Sequence, residues 1–184
     1  MQVENDLERG NNSTTTNIHF ERLFTQQLNC LQNGLSRVHT VIIQVHRSAA
    51  SLLLKELLHE YLEQISKEKE RSVQLLTAMH ITPSFVRDDI IEGFALEVKK
   101  LSHATFEKSV RDAGYCLQLR KLMQYLISCY DGLKEMAHLL QVPAAVKILE
   151  EGFYGESDSR LMLTYLVKQQ INCLEYPHKK EHII

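Results

Sequence analysis

The sequence lacks most of the short patterns that carry common chemistry. It has no Gly-rich phosphate loop and no Gly-x-Ser-x-Gly elbow, so backbone cradling of a nucleotide and the hydrolase nucleophile have no foothold. Alternating β-branched runs are almost absent, which argues against a sheet. No stretch approaches roughly 18 continuous apolar residues. The opening MQVENDLERG carries acids where a signal peptide has an apolar core, so the expectation is a cytoplasmic protein without membrane contact. A charge excess is missing as well: 21 Lys and Arg face 23 Asp and Glu, for a net charge of -2 with both signs interspersed. A nucleic-acid binder would show a basic face. The four cysteines, Cys30, Cys116, Cys129 and Cys173, form no CxxC pair, so they read as reduced, partly buried thiols rather than a disulfide framework or a zinc site.

What is present is helical periodicity. A chain of 184 residues with 44% hydrophobic content fits one domain able to bury about 70% of its unfolded surface. Residues 1–16 include NNSTTT and are too poor in apolar groups to offset the entropy of ordering, so they are expected to form a disordered tail. From Asn17 to Arg47, Phe24, Leu28, Leu31, Leu35, Val38, Ile42 and Val45 keep a helical period, with Gly34 as a weak point. A second helix is predicted from Ser51 to Met79, stopped before Pro83, with Leu54, Leu58, Tyr61, Ile65, Leu76 and Met79 on one stripe. A shorter helix is expected over 85–101.

Ser109 and Asp112 have capping-box spacing and predict the start of a third long helix reaching Leu140. It carries Tyr115, Leu119, Leu122, Leu126, Tyr130, Leu133, Ala137 and Leu140 on one face, without acid or histidine. Pro143 suits the first turn of a fourth long helix, which runs to Cys173; 174–184 is a C-terminal tail. Four helices of roughly 25 to 30 residues, each about 40 Å long, make an all-α bundle over 17–173, with the short helix in the crossover between helices two and three.

ERLFTQQLNCL, SLLLKELLHEYLEQ, IEGF, VRDAG and AVKILEEGFYGES occur in that order along the chain. In sequence and spacing they resemble the YciE/YciF family of bacterial ferritin-like proteins, a class of unknown function, over residues 23–167. The resemblance implies a ferritin-like four-helix bundle, related to di-iron bundles in which acids and histidines from four helices surround a metal pair. At the positions the family makes polar, this chain departs. Leu35 stands for an acid in helix one. Tyr61, Gln64 and Glu68 stand for His, an acid and Gln in helix two. The family's Glu-His-Tyr-Glu run falls on Met123, Gln124, Tyr125 and Leu126. In helix four Glu156 survives, while Arg160 stands for the last acid.

Leu35 and Leu126 are centred on their apolar stripes and Met123 lies beside its own, so these positions read as packed core. A hard divalent ion needs several converging oxygen or nitrogen donors, which two isobutyl groups and a thioether do not supply. Two placements of the remaining charges stay open. In one, Glu68 and Arg160 reach solvent and Glu156 sits at the bundle edge. In the other all three lie at the former metal level, and Arg160 is the cation that neutralises Glu156 and Glu68.

Other features read as structural. His39 and His46 sit at the edge of the helix-one face, and HEYLE, 59–63, lacks the second histidine of a zinc motif. SKEKER, 66–71, is a solvated surface with only Glu68 on the seam. The reading is therefore a non-enzymatic bundle with no cofactor, its di-metal site lost, kept for assembly or partner binding and linked by resemblance to stress. It is expected to be a homodimer through helices one and two, with no nucleic-acid or membrane partner. The alternative is a metal-binding, ferritin-like oxidase or iron-handling protein using a reduced site of Glu68, Glu156 and Gln64.

Overall fold

The computed structural model describes residues 2–175, with side chains described for 18–168. The tail expected over 1–16 lies outside the described side chains, and the tail expected over 174–184 lies almost wholly outside the described residues. Five α-helices follow one another: α1 (Gln2–Ser48), α2 (Leu52–Ala78), α3 (Asp89–His103), α4 (Lys108–Leu139) and α5 (Pro143–Glu175). No described residue is in a strand. None of the helices is long and apolar enough, among the described residues, to cross a membrane.

Short connections join α1 to α2 and α4 to α5, so each pair is an antiparallel hairpin. The two hairpins close into a bundle through α2 against α5 and α1 against α4, and α3 lies across α1 and α4. The helical periods predicted from sequence point inward as expected. Phe24, Leu28, Leu35, Val38, Ile42 and Val45 of α1, Leu54, Leu58 and Ile65 of α2, and Leu119, Leu122, Leu126 and Ala137 of α4 belong to one buried core. α1 runs unbroken through Gly34. A Cβ there would lie 2.6 Å from Ile91 Cδ1, so the glycine lets α3 approach the α1 backbone.

The capping box predicted at Ser109 and Asp112 is not formed. Glu107 occupies the N-cap of α4 without a side-chain cap. Asp112 is buried and reaches instead to the α1–α2 turn, where it accepts from Ala50 N–H at 3.1 and 3.0 Å and from Ser51 N–H at 2.7 Å. Those donors precede the first turn of α2, whose positive dipole end also favours a carboxylate. Ser51 caps α2 itself, accepting from Leu54 N–H at 3.2 Å.

Candidate functional site

The polar centre of the bundle is built by α2, α4 and α5. The helical period that buries Leu58 and Ile65 carries Tyr61 and Glu68 inward with them. Tyr130 arrives on the buried stripe of α4 and Glu156 projects from α5. Glu156 is fully buried and Glu68 is 4% exposed, so neither reaches solvent or the bundle edge.

Each carboxyl group is held by a phenol. Tyr61 donates its hydroxyl hydrogen to Glu156, with Oε1 at 3.0 Å and Oε2 at 2.8 Å. Tyr130 donates to Glu68 Oε2 at 2.5 Å. Gln64 donates through Nε2 to Glu68 Oε1 at 2.9 Å and accepts at Oε1 from Ser159 at 2.5 Å. Two glycines of α5 make the room. A Cβ on Gly152 would overlap the Tyr130 ring, and one on Gly155 would lie 2.7 Å from Gln64 Nε2 and 3.1 Å from Glu68 Oε1.

Burial dominates the electrostatics. Desolvation raises Glu68 from 4.5 to about 7, against the opposing hydrogen bonds of Tyr130 and Gln64 and the charge of Arg71. Desolvation, then the charge of Glu68, lifts Glu156 well above the carboxylate range, against the bond from Tyr61. The two phenols are themselves pushed well up by burial and by both carboxyl groups, so they remain hydroxyl donors. Burial thus favours the protonated form of both carboxyl groups.

Arg160 does not pair with these carboxyl groups. Among the described residues Arg160 forms no ion pair with Glu156 or Glu68, and its Nε is buried without a hydrogen-bond partner. Glu156 points inward to Tyr61, while Arg160, one turn further along α5, is only partly buried. Helical i,i+4 spacing pairs side chains on a surface; it does not act when the first member is turned into the core.

Leu35, Met123 and Leu126 are fully buried in the apolar core. The structure thus brings Tyr61, Gln64, Glu68 and Glu156 into one cluster and leaves Arg160 outside its hydrogen bonds. Tyr130, Ser159, Gly152 and Gly155 belong to the cluster although sequence reasoning did not assign them to it. The available signal was the phenol of Tyr130 on an apolar stripe, since a buried tyrosine hydroxyl needs a partner.

This donor set does not fit a pair of divalent metal ions. The phenol of Tyr61 engages both oxygens of Glu156, Glu68 is engaged by Tyr130 and Gln64, and the oxygen of Gln64 is taken by Ser159. Among the described residues no group of three or more His, Cys, Asp or Glu side chains converges as a metal site. Hydrocarbon and a thioether occupy the expected donor positions on α1 and α4, where a metal pair would need further oxygen or nitrogen ligands.

Comparison with known proteins places the chain. The profile of a family described as a domain of unknown function, DUF892, matches residues 19–173. Two solved structures are similar. The E. coli stress protein YciF is 23% identical, with a TM-score of 0.80 over 83% of this chain and 97% of that one. YcfI from Rhodopseudomonas palustris, described provisionally as a structural protein, is 22% identical, with a TM-score of 0.76 over 79% of this chain and 92% of that one. At these identities the likeness is one of fold. No curated protein matches the sequence.

Proposed function

We propose a non-enzymatic role for this chain, which belongs to the DUF892 family of unknown function. The reading is a ferritin-like bundle whose di-metal centre has given way to a hydrogen-bonded pair of tyrosines and carboxylic acids, and which works in the cytoplasm by assembly or partner binding. The observation that carries it is the occupation of both Glu156 oxygens by the Tyr61 hydroxyl, in a site where Leu35, Met123 and Leu126 replace donors with apolar or thioether groups. A connection to stress follows the description of YciF, and a structural role that of YcfI.

The assembly proposed is a symmetric homodimer, without nucleic acid or membrane. Large apolar side chains left on the surface of α5, including Leu161 at 49% and Tyr165 at 58% exposure, support pairing and favour α5 as part of the contact besides the expected α1 and α2. Light scattering is expected to give a dimer; a strict monomer at high micromolar concentration overturns that part.

Elemental analysis tests the central reading. Protein expressed in iron- or manganese-rich medium is expected to carry far less than one metal ion per chain. Stoichiometric iron or manganese that disappears in Glu68→Gln or Glu156→Gln would overturn it and restore the metal-handling alternative.

A further inference from the structure

A cavity of about 440 Å³ opens between α1, α4 and the start of α3, and its surface is mostly apolar. It is separate from the tyrosine and carboxyl cluster, and its volume falls in the range of small-molecule sites. One carboxylate stands in it. Asp88 caps α3 through Oδ1, accepting from Ile90 and Ile91 N–H at 3.0 Å each. Its other oxygen, Oδ2, accepts from the Tyr125 hydroxyl at 2.7 Å and from the Cys30 thiol at 3.7 Å. Among the described residues no lysine, arginine or histidine pairs with it, whereas the neighbouring acids Asp89 and Glu92 have Arg87 and Arg37.

The thiol is the weak contact. An S–H group is a poor donor, and burial and the charge of Asp88 push Cys30 up to about 11, so the group beside Oδ2 is a neutral thiol and not a cation. Gly132 lines the cavity, and a Cβ there would meet nothing within 4 Å. A glycine inside a helix costs about 0.5–1 kcal/mol relative to alanine, and this one, bordering the cavity, leaves its mouth wide.

We propose that this cavity binds a small molecule with an apolar body and a single protonated amine, its ammonium group displacing the Cys30 thiol from Asp88 Oδ2. The apolar walls take the body, and the carboxylate without a cation selects the head group. An ammonium brings a charge-assisted bond to an oxygen that now receives only a phenol and a thiol.

Three probes of similar size and different head group test this: 2-phenylethylamine, 2-phenylethanol and phenylacetate, titrated at low salt with calorimetry. The amine is expected to bind roughly tenfold more tightly than the alcohol, and the acid least. Asp88→Asn keeps an N-cap acceptor, because asparagine caps helices as well as aspartate, and is expected to erase the preference for the amine over the alcohol. Gly132→Phe is expected to block all three. Peptide mapping of thiol labelling locates the ligand: the amine slows labelling of Cys30 and Cys129, which both line the cavity. Equal affinity for amine and alcohol, a preference that survives Asp88→Asn, or binding that leaves both cysteines unprotected and is indifferent to Gly132→Phe would each overturn the proposal.

Discussion

The ring of Tyr130 lies so close over Gly152 that a side chain on the glycine would overlap it. The contact joins α4 to α5 and sets the direction in which the Tyr130 hydroxyl reaches Glu68. A glycine in mid-helix is otherwise unfavourable, so its presence marks an approach that the site requires.

Gly152→Ala is therefore expected to destabilise the bundle, even though alanine is the better helix former. Overpacking against a rigid ring costs about 1–3 kcal/mol, and the gain in helix propensity offsets at most about 1 kcal/mol of the combined loss of packing and hydrogen bond. Urea unfolding measures the difference. Adding Tyr130→Leu removes the ring, so the double variant is expected to recover part of the loss; a stability for Gly152→Ala equal to wild type contradicts the assignment.

Tyr61→Phe leaves Glu156 buried without its phenol donor, and a loss of about 1–3 kcal/mol is expected. Replacing both members by apolar groups removes the unsatisfied polar atoms altogether. Tyr61→Phe with Glu156→Leu is expected to be more stable than Tyr61→Phe alone. Denaturant unfolding of the four chains gives the coupling energy; additive losses would mean the pair does not act as a unit.

Stability is expected to fall as pH rises from about 5 to 8. Glu68 moves from 4.5 to about 7 on folding, so between those values the folded chain binds more protons than the unfolded one. Its contribution is fully present below 4.5 and is lost as pH rises through the folded value, with a slope of up to about 1.4 kcal/mol per pH unit. Glu156, also raised by burial, contributes with the same sign. Thermal or urea unfolding across this range checks the sign, and Glu68→Gln is expected to flatten the curve.

Asp112→Ala is expected to lose about 2–4 kcal/mol, since two backbone donors of the α1–α2 turn lose a charged acceptor. Asp112→Asn keeps one acceptor oxygen and is expected to lose less. Melting temperatures of the two variants order them.

The fold was readable because its helices follow one physical rule, the 3.6-residue apolar period, at each of Leu28, Leu35, Leu58, Leu122 and Leu126. The place of Glu68 on the α2 stripe was legible in the same way, but its burial was not, since a long charged side chain on a stripe can also reach solvent. What the charged groups would do was not legible either. Arg160 and Glu156 have ideal spacing for a surface pair, and Ser109 and Asp112 have ideal spacing for a cap, yet in each case one member is turned toward a partner far along the chain. Local spacing carries no information about Tyr61 or the Ala50 and Ser51 N–H groups. Tyr130 was read as core and is core; that it also donates to Glu68 depends on the distance between two helices, which a single helix's period does not encode.

The reach of Asp112 to Ala50 and Ser51 spans 62 and 61 positions of sequence, so the turn of the first hairpin has its acceptor on the second. With the hairpins apart, these two amides have only water to bond to. In native-state hydrogen exchange these two amides accordingly report on separation of the hairpins, although they sit within a turn that any local view would assign to the first alone.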